Sequence, residues 1–313
     1  MRRILLLGKN GQVGWELQRS LAPLAELIAL DRAGASAASL GVDASVGELR
    51  LHGDLGRLES LTATIRALRP DVIVNAAAYT AVDKAESDVD VANAINATAP
   101  GILANLCAEL GIWLIHFSTD YVFDGTKTAP WLETDPTCPL SVYGRTKLEG
   151  EERIRASGCQ HLILRTGWVY GAHGANFAKA ILRLATEREV LRLVDDQIGA
   201  PTGADLLADA TAHALRGVTG LTGRLGTYHV AARGETSWFE YARFLIERAR
   251  TSGWSLKVTQ EGLCPTPSCE YPLPARRPSN SRLDCSKFEK TFSLRMPHWQ
   301  HGVERLLREL AST

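Results

Sequence analysis

Short unbroken apolar runs punctuate this chain, and stretches of helical period separate them. Ile4 to Leu7 is the first run, closed at once by Gly8. Four apolar residues without polar alternation suit a strand covered on both faces, as in a parallel sheet. The pattern recurs at Leu27–Leu30, Asp71–Asn75, Ile112–Phe117 and Leu162–Thr166, with shorter strands predicted at Leu49–His52 and Thr227–Val230. Helices are predicted from Trp15, over 56–68, 89–97 and 99–109, from Asn176-Phe177 to Glu187, and over 204–215. Ser237 reads as the cap of an amphipathic helix running to Arg250.

The first turn carries candidate chemistry. Gly8-Lys9-Asn10-Gly11-Gln12-Val13-Gly14 sits between a strand and a helix start. Glycines let the backbone turn sharply and approach a pyrophosphate, and free N–H groups at a helix N-terminus bind the anion. The second strand ends at Asp31-Arg32; an acidic residue there usually holds the adenosine ribose hydroxyls, which favours NAD. The guanidinium of Arg32 equally suits a 2′-phosphate, which favours NADP. Asp54, followed by Leu55, has two readings, one beside the adenine and one as a helix cap. Ala76, Ala77 and Ala78 place small residues at a strand end, where a cofactor passes. The fold class is therefore α/β, a doubly wound parallel sheet of Rossmann type. Beyond about Trp168 the alternation weakens. Residues 1–167 are assigned to a dinucleotide-binding domain, to which segments around 190–230 return, and 168–313 mainly to a smaller, interleaved substrate-binding domain.

Composition narrows the partners. Among 313 residues, 35 Lys and Arg balance 35 Asp and Glu, so no basic excess points to nucleic acid. No run reaches the roughly 18 apolar residues of a membrane span or forms a signal-peptide core, and a cytoplasmic protein is expected. The six cysteines lack metal-finger or CxxC spacing, so reduced thiols are expected. Ala33 to Gly47, rich in Ala, Ser and Gly, reads as a flexible surface insertion. Cys264 to Pro278 is proline-dense and predicts a loop; Arg276, Arg277 and Arg282 around it suit either a diphosphate clamp or a solvated face.

Tyr143-Gly144-Arg145-Thr146-Lys147 places a phenol and an ammonium four residues apart, on one helix face. A neighbouring cation is expected to lower the phenol's pKa from its usual ~10, toward proton transfer near neutral pH. Alone, such a pair is an ordinary exposed helix face. Thr119, at the end of the Ile112 strand, adds a hydroxyl that can bond a carbonyl oxygen. Hydroxyl, phenol and ammonium together suit hydride transfer to a carbonyl, with Tyr143 protonating the alkoxide, Thr119 polarising the oxygen and Lys147 holding the nicotinamide ribose.

The glycine turn with Thr119, Tyr143 and Lys147 resembles the extended short-chain dehydrogenase/reductase superfamily. GKNGQVGWELQ (Gly8 to Gln18), NAAAYTAVDKAE (Asn75 to Glu86), STDYVFDG (Ser118 to Gly125), VYGRTKLEGE (Val142 to Glu151) and DQIGAPT (Asp196 to Thr202) are similar to dTDP-4-dehydrorhamnose reductases, as are RTGWVYG (Arg165 to Gly171) and RPSNSRLD (Arg277 to Asp284). The resemblance implies reduction of the 4-keto group of dTDP-4-dehydro-L-rhamnose with NADPH or NADH. It implies that Gly11, Gln12, Val13, Asp31, Asp54, Leu55, Ala77, Ala78, Tyr79, Tyr143 and Lys147 line the cofactor, and that Thr119, Asp120 and Trp168 face the sugar. Asn176, at its helix start, is a further candidate for the nucleotide sugar. Some such enzymes hold Mg²⁺ between subunits, and Glu16 matches one ligand position; no metal site is assigned. A monomer or homodimer is expected, with no nucleic-acid or membrane partner. The competing readings are an NDP-sugar epimerase or dehydratase, which returns the hydride to its substrate, and a non-catalytic NADP-binding regulatory subunit.

Overall fold

The computed structural model describes residues 2–37, 50–218 and 225–311. Six parallel strands form the central sheet, in the order Gly226–His229, His161–Thr166, Trp113–Thr119, Val72–Asn75, Arg3–Leu7, Glu26–Leu30. The chain runs outward from Arg3–Leu7 to Glu26–Leu30 and then crosses back to Val72–Asn75 on the other side. The order reverses at the first strand, so a crevice opens beyond the carboxyl ends of Arg3–Leu7 and Val72–Asn75. Gly8 and Ala76-Ala77 are the residues that emerge there.

The unbroken apolar runs follow from two-sided burial. Ile4 and Leu6 enter the core beneath helices Gln12–Leu21 and Ala204–Val218, with Leu17, Leu21, Leu207 and Leu215. Leu5 and Leu7 face the opposite core, beneath helices Leu58–Leu68 and Ala99–Leu110, with Leu61, Ile65 and Leu103. Side chains alternate across a strand, so a strand buried on both faces has no polar position to spend. A separate aromatic and aliphatic cluster gathers Tyr170 from the short strand Val169–Tyr170 with Ile181, Leu182, Tyr241, Leu245, Trp299 and Val303 from helices Phe177–Glu187, Trp238–Thr251 and Trp299–Ala311.

Three local expectations change. Arg50–Leu51 does not join the central sheet; it pairs antiparallel with Ala35–Ser36 in a two-residue ladder. Only Leu51 of that pair is buried, too little for a sheet interior. The remainder of the expected insertion, with Leu49, lies outside the described residues. Residues 89–110 form one continuous helical path, in which Ala94–Thr98 widens to a π-helix and Pro100 follows where that wider turn gives way to the next α-helical segment. In the proline-dense stretch, Leu263–Thr266 is a strand paired parallel with Leu191–Val194. Pro265 is tolerated there because a two-stranded ladder is all edge. Among the described residues no helix is long and apolar enough to cross a membrane.

Candidate functional site

The glycine turn is shaped by close approach. Gly8 has φ of +85°, and a Cβ there would lie 2.7 Å from the Ala77 nitrogen. A Cβ on Gly14 would run into the Gly8 carbonyl. Gly11 is exposed and caps helix Gln12–Leu21 without a side-chain hydrogen bond, and that helix has no acidic residue in its first turn. The N–H groups of Gln12, Val13 and Gly14 are thus offered at an uncompensated helix N-terminus, an arrangement that fits a pyrophosphate. Asp31 is already engaged: it accepts from Asn10 at 2.7 Å and from the Ala33 N–H at 2.9 Å, and Lys9 Nζ stands 3.8 Å away. Arg32 is exposed beside it. Asp54 closes a turn by accepting from the Gly56 N–H at 2.9 Å, while Leu55 is buried. The helix that follows begins at Leu58, so Asp54 is a turn residue and not its cap. Ala77 donates to Asn75 Oδ1 at 3.2 Å. Ala78 is half-buried beside it, and Tyr79 is pinned through its backbone by Asn96 and through its phenol by Asp88, each phenol or amide bond close to 2.9 Å.

Helix Val142–Ala156 carries Tyr143 and Lys147. Ser141 caps it, accepting from the Gly144 N–H at 3.2 Å. Gly144 must be glycine because a Cβ would strike the Tyr121 carbonyl, and Thr146 accepts from Asn96 at 3.2 Å. Tyr143 is half-buried, with its ring edge-on to Tyr121 at 5.8 Å. Burial pushes its phenol up to about 12, and the neighbouring Thr119 hydroxyl partly offsets this. The expected lowering by Lys147 is reversed, because Lys147 Nζ turns away from the phenol. It donates to the Phe117 carbonyl at 2.5 Å and lies 3.2 Å from His116 Nε2. Burial brings Lys147 down to about 8, against a raising influence from Glu151. Glu151 itself is fully buried and is held by Arg165 at 2.6 Å and Ser118 at 2.5 Å.

Thr119 ends its strand and donates to Asp120 Oδ1 at 3.0 Å while accepting from the Tyr121 N–H. Asp120 is 2% exposed, and its Oδ2 has no partner. Burial raises this carboxyl to about 6, opposed by hydrogen bonds from Ser281 and Thr119. Gly167 packs so close that a Cβ would lie 2.6 Å from the Asp120 carboxyl carbon. An orphaned buried acceptor beside a hydroxyl and a phenol is a receptive polar corner.

A second group of candidate residues comes from later in the chain. Trp168 adopts φ of +51° and stacks on Trp238 with ring centres 3.5 Å apart, while Gly199 lies against the indole. Asn176 caps helix Phe177–Glu187 through the Lys179 N–H at 3.1 Å and donates to Gln12 Oε1 at 2.9 Å. His173 lies 3.0 Å from the Asn10 carbonyl and stacks on Trp15, so the 171–176 loop folds over the glycine turn. Asn176 therefore joins the glycine turn and stands apart from Thr119 and Tyr143 in its contacts. Two of the three clustered arginines are spent on protein groups. Arg277 forks onto Asp83 at 2.7 and 3.0 Å, and Arg282 pairs with Glu235 at 2.7 Å. The diphosphate-clamp reading is thereby weakened, with Arg276 alone exposed among them. Glu16 pairs with Arg19 at 3.5 Å, and among the described residues no three His, Cys, Asp or Glu side chains gather as a metal site. Sequence reasoning missed His116, Asn75, Ser281 and Trp238. Each is an unremarkable residue in its own segment, and only long-range packing brings it to the site.

Comparison with known proteins is consistent along the whole length. The family model described as the RmlD substrate binding domain matches residues 1–312. The dTDP-4-dehydrorhamnose reductase of Escherichia coli K12 is 51% identical over 310 residues, 99% of this chain and 98% of that protein. The reductase of the same name from Burkholderia thailandensis is 43% identical over 316 residues, 99% of each chain. A crystal structure of the Bacillus anthracis dTDP-4-dehydrorhamnose reductase in complex with NADP superposes with a TM-score of 0.84 at 30% identity, covering 99% of this chain and 100% of that one. A Streptomyces venezuelae dTDP-glucose 4,6-dehydratase, at 20% identity and a TM-score of 0.78, shares the fold.

Proposed function

This chain belongs to the RmlD substrate-binding-domain family, and from that premise we propose that it is an NAD(P)H-dependent oxidoreductase reducing the 4-keto group of dTDP-4-dehydro-L-rhamnose to dTDP-L-rhamnose. The observation that carries the reading is the Tyr143 phenol beside the Thr119 hydroxyl, at the sheet end that also bears the open glycine turn. Full-length identity of 51% to a protein of that name supports the substrate. When bound, the reduced nicotinamide supplies the hydride. Gln12, Val13 and Gly14 would hold the cofactor's diphosphate with backbone N–H groups, and Lys9 and Arg32 lie where a 2′-phosphate could be balanced. Thr119 would turn its one O–H from Asp120 Oδ1 to the substrate oxygen, and Tyr143 gives that oxygen its proton. A phenol pushed up to about 12 is fully protonated at neutral pH, the form a donor requires. Lys147, one turn further along the same helix, is assigned to the nicotinamide ribose.

Nicotinamide absorbance tests this directly. NADPH or NADH should be consumed only when a dTDP-4-keto-6-deoxy sugar is supplied, with stoichiometric appearance of the dTDP-6-deoxy sugar. Conversion of the sugar without net cofactor oxidation would favour an epimerase or dehydratase instead. Binding of NADP without any sugar conversion would favour a regulatory subunit.

A further inference from the structure

Asn75, His116 and Lys147 form a buried line from the crevice to the catalytic helix, each no more than 1% exposed. The Ala77 N–H donates to Asn75 Oδ1 at 3.2 Å, which orients the amide. Asn75 Nδ2 then faces His116 Nδ1 at 3.1 Å, and that ring nitrogen must accept. A neutral imidazole carries one N–H, so the proton sits on Nε2, which faces Lys147 Nζ at 3.2 Å. An ammonium has three donors and no acceptor. The contact is therefore a hydrogen bond only when Lys147 is a neutral amine, accepting from His116 and donating to the Phe117 carbonyl.

A charged Lys147 requires the other arrangement. Nε2 must then accept, Nδ1 must carry the proton, and Asn75 must turn Oδ1 toward the ring. The Ala77 N–H loses its acceptor and is offered to the crevice. We propose that His116 is a positioning residue that couples the charge of Lys147, through its own tautomer, to the Asn75 amide and the Ala77 N–H at the candidate cofactor crevice. His116 stays neutral throughout, since burial and the neighbouring lysine hold it well below its ordinary value. The other ionisable group acting on the pair is Glu151, on the lysine's helix, which is itself held by Arg165 on strand His161–Thr166. Glu151 and Arg165 are locked together at 2.6 Å, and the guanidinium holds the Glu151 carboxyl below its ordinary range against the opposing effect of burial. A lysine brought down to about 8 makes both arrangements accessible near neutral pH. The inference extends the proposed role of Lys147 and is carried by the hydrogen-bond geometry of the line.

Nitrogen NMR of the ¹⁵N-histidine-labelled full-length protein, without cofactor, reads the tautomer directly. Between about pH 6 and pH 10, His116 should pass in one step from Nδ1–H to Nε2–H as Lys147 titrates. Lys147→Met should remove the step. Asn75→Asp, whose carboxylate accepts from both Ala77 and His116, should hold Nδ1–H and move the lysine's titration up by about one pH unit, a tenfold gain in proton affinity. A single tautomer throughout in the unmodified protein, or a step that persists without Lys147, would overturn the proposal. No turnover is measured, so the tautomer step stays readable even if the proposed reduction fails, and its absence would leave that reduction standing.

Discussion

The polar wall at the sheet end around Thr119 and the aromatic wall around Trp168 hold their side chains by different means. On the sheet side, Thr119 ends a seven-residue strand and Tyr143 and Lys147 share the first turns of a fifteen-residue helix. Regular backbone sets their spacing, and the Phe117 carbonyl and the buried His116 and Asp120 side chains set their direction. In the aromatic wall, Val169–Tyr170, Ile198–Gly199 and Thr236–Ser237 are two-residue strands that contribute little register. There Trp168 is held by aromatic stacking on Trp238 and by the absence of a side chain at Gly199. Polar groups in the first wall are fixed by donors and acceptors, which define angles. Flat rings in the second wall are fixed by contact area, which tolerates sliding. The first arrangement suits proton transfer at a chosen atom, and the second suits recognition of a sugar face.

The sharpest break in this contrast is Tyr143→Phe. It keeps the ring and its edge-on contact with Tyr121 but removes the proposed proton donor. Reduction should fall by roughly 10²- to 10⁴-fold in kcat, with NADPH affinity measured by fluorescence titration changed little. Full activity in that variant would end the proposed role of Tyr143.

Asp120→Asn separates the two walls thermodynamically. The Asp120 carboxyl is raised to about 6 by burial, so between its ordinary range and about 6 the folded protein binds more protons than the unfolded chain. Stability contributed by the protonated form is therefore present at low pH and lost as pH rises through about 6. The asparagine variant, which cannot ionise, should be more stable than the parent by on the order of 2 kcal/mol at pH 7, with the gain shrinking toward pH 4. Urea unfolding at the two pH values measures this; an equal gain at both would place its origin outside Asp120 ionisation.

Trp238→Leu should have the smallest effect on chemistry. Loss of the Trp168 stack removes about 0.5–1.5 kcal/mol beyond the area effect, lowers the melting temperature, and raises KM for the nucleotide sugar several-fold while kcat changes less. A fall in kcat comparable with that of Tyr143→Phe would show that the aromatic wall positions the reacting carbonyl as tightly as the sheet does.

The sequence by itself determined the parallel sheet and most of its helices, because two-sided burial leaves unbroken apolar runs such as Ile4 to Leu7 that no other environment requires. It also marked the glycine turn, since Gly8 and Gly14 sit where any Cβ would collide, and it placed Tyr143 and Lys147 on one helix face through the 3.6-residue period. Which way those side chains point was decided only in three dimensions. Lys147 faces His116 and Phe117 instead of the phenol, so the expected lowering of the Tyr143 pKa gave way to a rise through burial. Asp31 was drawn into a hydrogen bond with Asn10, 21 residues away, and Arg277 and Arg282 into ion pairs with Asp83 and Glu235. Local pattern specifies which face of an element is apolar; it carries no record of the partner that a polar side chain meets from dozens of residues away. Solvation and hydrogen bonding at a buried site depend on that partner, and so the chemistry of this cleft resides in contacts that only the folded chain brings together.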